Sequence, residues 1–232
     1  MLLAYMHVLH MSTRMVEIGP ASRLHSNEKP MPMLLTHTPE MPPPLAPPRK
    51  RWTREQCATP EMTALFEIEK LELVDGDLIS KMGKNRPHVN TCRLMYFWLS
   101  ETFGLKFVDL EAPIDVNIAD NRFNEPVPDL IVLNREGATI VSGNVHPEDI
   151  VLLVEISDST LGFDLNVKGP LYARAGIVEY WVLDVSGRRL IAHRSPVSGK
   201  YTSVVIYSEH ETTTPLAAPN ASLQVAQVLP KP

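Results

Sequence analysis

The stretch DIVLLVEIS, residues 149–157, limits the fold more than any other part of the sequence. Its apolar residues do not alternate with polar ones, and Asp149 before it and Ser157, Asp158 and Ser159 after it mark its ends. A run this short and this apolar reads as a strand, at about 149–156, buried on both faces of a sheet. Such a sheet must be covered on each side, which points to an α/β (α+β) domain. The run also contains a contradiction: Glu155 sits near its end among apolar neighbours, although an ionised carboxylate costs several kcal/mol to bury without compensation.

The surrounding sequence supplies the partners. TPEMTALFEI opens with Thr59 as N-cap, Pro60 at the first helical position and Glu61 in the first turn, which starts a helix. KLELVDGDLISKM predicts two short strands around the Asp75-Gly76 turn. Residues 87–103, PHVNTCRLMYFWLSETF, carry a wide apolar face and stop at Gly104, as a helix does. Further strands are expected at about 112–118 and 127–133. Asp164 to Ala175 predicts a helix closed by Gly176, with a kink or late start at Gly169-Pro170. VEYWVLD and RRLIAHR flank Ser186-Gly187 as a hairpin, YTSVVIYS adds a last strand, and a short helix around 222–228 is expected to cover an edge. This order predicts a mixed central β-sheet flanked by helices.

Upstream of Thr59 the character changes. EKPMPMLLTHTPEMPPPLAPPRK is rich in Pro and has no period of 2 or 3.6, so residues 1–58 are expected to be a disordered leader and 59–232 the folded domain. The apolar N-terminus MLLAYMHVLHMSTRM lacks the charged start and cleavage site of a signal peptide and is too short to span a bilayer. No membrane association is expected. Met6, Met11, Met15, Met31, Met33 and Met41 all offer later starts, so translation from upstream of the true start is preferred over a short surface helix. RKRWTR, at the border, is a small basic cluster read as solvated. The net charge is −5, from 22 basic and 27 acidic residues, so a nucleic acid would have to meet a local patch. Cys57 and Cys92 lie far apart, which suggests neither a zinc cluster nor a disulfide framework and fits a reducing cytoplasm.

Glu155 is not the only awkward acid. Glu72 lies in LELVDG and Asp129 in VPDLIVL, where alternation turns Asp129 away from the face of Leu130. Any one of the three can point outward or pair with an arginine. Taken together they ask for a shared cation, and Mg²⁺ accepts one or two carboxylates with water and phosphate completing its shell.

Pro128-Asp129, followed on the next strand by Glu155 and a polar residue two positions on, resembles the PD-(D/E)xK signature of restriction-endonuclease-like nucleases. More specifically, ELVDGDLI, VPDLIVL, VEISDST and KGPLYARAGIVEYWVLD, in that order and at these intervals, resemble the Uma-two family of bacterial restriction endonucleases within that superfamily, over roughly residues 60–230. The resemblance implies a restriction-endonuclease-like fold with Mg²⁺ or Mn²⁺ held by Asp129, Glu155 and the backbone carbonyl of Ile156. It also implies Glu72 as an outer acid that binds the metal through water or orients the nucleophile. One position departs from the signature: Ser157 stands where its lysine belongs, and a hydroxyl cannot stabilise charge developing on phosphorus as an ammonium does.

Lys168, from the following helix, is the implied replacement, because its long stem can reach back over the strand end. Tyr172 lies four residues on, on the same helical face, and is a candidate for binding a phosphate oxygen or holding the lysine; a core-edge aromatic is the plainer reading. His88 is a candidate for substrate contact or proton transfer, against the plainer reading of a surface residue at a helix start. Ser157 to Thr160 read as a polar turn that caps the next helix, and Asp184 reads as turn chemistry.

The implied activity is metal-dependent hydrolysis of DNA phosphodiester bonds, with Lys168 offsetting negative charge in the transition state. DNA is the expected partner, and a homodimer is expected because cutting two strands needs two sites or two visits. The rival reading is the same fold without catalysis, a module binding nucleic acid or protein, favoured by the acidic balance and the missing in-strand lysine. A carboxylate-dependent enzyme acting on another substrate is a third reading.

Overall fold

The computed structural model describes residues 49–81 and 83–231. The expectations for residues 1–48 lie outside the described residues. Residues 49–58, assigned by sequence to the leader, belong to the folded unit instead. Thr53 and Gln56 form a capping box around a single helical turn, α1 (Arg54–Cys57), and Cys57 is buried. The basic cluster is paired and still solvated at Arg49 and Arg51, which meet Asp77 and Asp75 at the surface, whereas Arg54, paired with Asp115, is half-buried. Those acids lie far along the chain, so the leader composition alone concealed the contacts.

Helix α2 (Pro60–Glu69) starts as expected, with the Thr59 hydroxyl accepting from the Met62 amide. The hairpin β1 (Leu71–Val74) and β2 (Asp77–Ser80) turns at Asp75 and Gly76, both at positive φ. A Cβ at Gly76 would stand 2.7 Å from the Arg51 Cβ, so glycine is required there by space as well as by φ. Helix α3 (Arg86–Phe103) is capped by the Asn85 side chain and ends at Gly104.

Six further strands, β3 (Val108–Leu110), β4 (Leu130–Leu133), β5 (Ile150–Ser157), β6 (Glu179–Asp184), β7 (Arg189–Val197) and β8 (Lys200–Ser208), form one mixed sheet in that spatial order. Only β5 and β6 run parallel. The chain between them crosses the sheet through α4 (Leu161–Phe163), a π-helical turn at Asp164–Lys168, and α5 (Gly169–Arg174). The run that constrained the fold is the centre of this sheet: β5 is buried along nearly its whole length.

Alternation along β5 divides the core. Leu152, Val154 and Ile156 join Met95 and Leu99 of α3 and Trp181 of β6 on one face. Leu153 joins Ile131, Tyr172, Tyr180 and Val182 on the other. Each fully buried large apolar side chain contributes about 1.5–3 kcal/mol relative to exposure.

Two expected elements differ. Residues 112–118 form no strand and make a single bridge, Ile114 to Val145, because Pro113 and Pro126 bring no N–H to continue a ladder. Strand β3 stands at the sheet edge instead, after a 3₁₀ turn at Leu105–Phe107. Residues 222–228 are not a helix: β10 (Leu223–Gln224) pairs with β9 (Thr212–Thr213), and a 3₁₀ turn follows at Val225–Val228. Leu223, Val225, Val228 and Leu229 enter the core beside α3 rather than covering an edge.

The kink expected at Gly169-Pro170 takes a particular form. The Gly169 amide bonds back to Asp164 O, five residues away, and the widened turn accommodates Pro170, which has no N–H to donate. Among the described residues no helix is long and apolar enough to cross a membrane.

Candidate active site

Glu155 lies on the same face of β5 as Leu153, the face covered by the crossover helix. Asp129 immediately precedes Leu130, which stands opposite Val154, so strand register alone brings the two acids together. The Ile156 N–H donates to Asp129 Oδ2 at 2.9 Å, and the Asp129 N–H points to Glu155 Oε2 at 3.4 Å. Above them the π turn delivers Lys168, whose ammonium lies 2.9 Å from Glu155 Oε1 and 2.8 Å from Glu72 Oε1. One turn on, the Tyr172 hydroxyl donates to the same Glu155 Oε1 at 2.9 Å. Glu72 arrives on β1, with its other oxygen accepting from the Val127 amide at 2.9 Å; backbone bonds between Leu73 and Glu125 dock that hairpin.

All the side chains singled out from sequence therefore meet. Glu72, His88, Asp129, Glu155 and Lys168, with Ile156, line one cavity of about 120 Å³, and Tyr172 lies beneath it as a support for Glu155. His88 is buried rather than on the surface, with Nε2 3.3 Å from Asp129 Oδ2. Ser157 and Thr160 do not cap the next helix. Both hydroxyls donate to Asp164 Oδ2, a buried acid at the back of the cavity. Asp184 does perform turn chemistry, accepting from the Gly187 amide and pairing with Arg189.

Sequence reasoning missed Lys81, Lys84 and Asp164. Lys81 and Lys84 approach Asp129 Oδ1 at 3.3 and 3.0 Å, and Lys84 also pairs with Glu111. Both stand in SKMGKN, the loop joining the hairpin of Glu72 to the helix of His88. That position between two candidate residues was the available signal. These lysines and Lys168 are the compensation that the buried acids required.

The charges are balanced unequally. Burial pushes Asp129 up, but the His88 hydrogen bond and the charges of Lys81 and Lys84 outweigh it and hold this carboxyl well below the usual range. Burial pushes Glu155 up to about 7, because Lys168, its main offset, is shared with Glu72 and because Asp129 stands close by. Burial disfavours the Lys168 ammonium, yet Glu155 and Glu72 together raise its pKa well above the ordinary lysine value. Burial also raises Asp164, partly offset by Lys168.

Among the described residues no three His, Cys, Asp or Glu side chains form a metal-binding set. A divalent ion here would rest on Asp129, Glu155 and a backbone oxygen, with water supplying the remainder, the sparse donor set that Mg²⁺ accepts. A strand residue turns its N–H and C=O to the same neighbour, so the Ile156 carbonyl faces the Asp129 side with its amide. The residues present fit such an ion.

No curated protein matches the chain. Among solved structures, it is similar to "a putative nuclease belonging to DUF820 from Anabaena variabilis ATCC 29413", with 14% identity and a TM-score of 0.51, covering 68% of this chain and 88% of that one. At that identity the likeness is one of fold, a restriction-endonuclease-like sheet with flanking helices. Residues 60–226 match the Uma2 family model, described as "Putative restriction endonuclease", and with most of its length inside that match this chain belongs to the Uma2 family.

Proposed function

We propose that the protein is a metal-dependent endonuclease that hydrolyses phosphodiester bonds of DNA, with Mg²⁺ or Mn²⁺ as cofactor. The observation that carries this reading is the convergence of Asp129, Glu155, Glu72 and Lys168 on one cavity whose mouth is lined by Lys81 and Lys84. A divalent ion bound by Asp129, Glu155 and the Ile156 carbonyl would polarise the scissile phosphate and lower the pKa of an attacking water.

The chain's own groups do the rest. Lys168 and Tyr172 hold Glu155 Oε1, which leaves Oε2 turned toward Asp129. The Ile156 amide and His88 fix Asp129 Oδ2. Glu72, with both oxygens engaged, positions Lys168. Lys81 and Lys84 attract the phosphate and, with Lys168, offset charge on its oxygens during in-line attack. Lys168 thus stands in for the lysine that Ser157 replaces. Free thiols at Cys57 and Cys92 fit a cytoplasmic protein.

The test is cleavage of supercoiled plasmid in Mg²⁺ and in Mn²⁺ by the wild type, Asp129→Ala and Glu155→Ala. Cleavage by the wild type, abolished in both variants and by chelation, is expected. Equal activity in all three proteins refutes the assignment.

A further inference from the structure

Strand β8 is the outer strand of the six-stranded sheet, and among the described residues no strand pairs with its far side. Ser208 gives its N–H to the Glu211 side chain and its C=O to the Glu211 amide rather than to β7. By alternation, the backbone groups of Ile206, Val204 and Thr202 also turn away from β7. The side chains of Val204, Val205 and Ile206 are 52%, 39% and 54% exposed. From Tyr201 to Ser208 the strand has no charged residue and no proline, the devices that ordinarily keep a sheet edge from pairing. Charge appears only at its ends, Lys200 before it and Glu209 and Glu211 after it.

We propose that β8 pairs with β8 of a second copy of this chain, antiparallel about a two-fold axis at Val204, joining two sheets into one. A two-fold interface needs a surface complementary to itself, and an antiparallel match provides it. Thr202 of each copy faces Ile206 of the other, Val204 faces Val204, and the outward N–H and C=O groups find partners. Lys200 of each copy then lies beside the Ser208–Glu209 end of the other. A parallel match would set like charges side by side. This interface stands independently of the catalytic reading.

Sedimentation velocity of the full chain from micromolar to hundred-micromolar concentration tests it. The wild type is expected at twice its 26.0 kDa mass, and Val204→Lys/Ile206→Lys as a monomer with unchanged circular dichroism, since both positions are exposed. Should the lysine variant fold poorly, Val204→Cys decides, because residue 204 meets itself across the axis. Oxidation should give a covalent dimer, which the equally exposed control Leu105→Cys does not form. A monomeric wild type over the whole range overturns the proposal, whether the edge is open or closed by another part of the chain, and so does a lysine variant that stays dimeric or a Val204→Cys protein that fails to cross-link.

Discussion

Replacing Lys168 by Met keeps the length and apolar stem of the side chain and removes only its charge. Lys168 is 2% exposed, and its ammonium lies 2.8 Å from one Glu72 oxygen and 2.9 Å from one Glu155 oxygen. At an effective dielectric near 20, each contact is about 6 kcal/mol of Coulomb attraction, and the cost of desolvating the ammonium cancels much of the sum. Two buried carboxylates then remain without their main partner, a situation that costs about 3–5 kcal/mol. For a domain of this size, about 1 kcal/mol shifts the melting temperature by about 2–4 °C, so Lys168→Met should melt about 6–20 °C below the wild type at pH 8. The deficit should shrink at pH 5, where the stranded carboxylates take up protons, and Lys168→Met/Glu155→Gln should recover part of it at pH 8. Thermal and urea unfolding followed by circular dichroism measure all three. A single variant within about 1 kcal/mol of the wild type at pH 8, or a double variant no more stable than the single, refutes the view that Lys168 neutralises the acidic cluster.

The folded-state pKa of Glu155, about 7, lies above its ordinary value of 4.5. The stability linked to its proton is therefore full below pH 4.5 and lost as the pH rises through 7, to the extent of about 3 kcal/mol. Glu155→Gln, which mimics the protonated acid, should lose this slope between pH 5 and 8 in urea titrations, and an unchanged slope would assign it to other groups. In plasmid cleavage the metal must compete with that proton, so the Mg²⁺ concentration needed for half-maximal cleavage should fall as the pH rises from 5 to 8. Gly76→Ala, at φ +79 and against the Arg51 Cβ, should destabilise by at least about 1–2 kcal/mol. Gly169→Ala meets only ordinary contacts, at 3.5 and 3.7 Å, and should be neutral or stabilising by up to about 1 kcal/mol; the reverse order of the two melting temperatures would contradict the backbone account.

Legibility in the sequence followed the range of the interactions. Thr59-Pro60, Asp75-Gly76 and Gly104 act on their immediate neighbours, and the elements they bound stand where expected. Residues 112–118 carry the apolar pattern of a strand but lack a suitable mate, because Pro113 and Pro126 interrupt the donors that pairing needs. The fold continues upstream of Thr59, where Arg49, Arg51 and Arg54 find acids far along the chain. Composition sees the arginines and not their partners. The acids of the site were visible because a carboxylate in an apolar strand is conspicuous wherever it occurs. Lys81 and Lys84 were not, because a lysine in a polar loop looks the same whether it meets solvent or Asp129.

The sequence by itself determined that a doubly covered strand forms at DIVLLVEIS, that a mixed sheet grows around it, and that Glu72, Asp129 and Glu155 are buried acids in need of compensation. Only the tertiary structure decided what compensates them. Lys168 reaches Glu155 and Glu72 because a π turn rather than a regular helix carries it over the strand end, and Lys81, Lys84 and His88 surround Asp129 because the β1–β2 hairpin docks on Glu125, in the segment that leads into β4. Ion pairing acts over a few ångströms, and the separations between residues distant in sequence are set by strand register and packing, which no local pattern encodes.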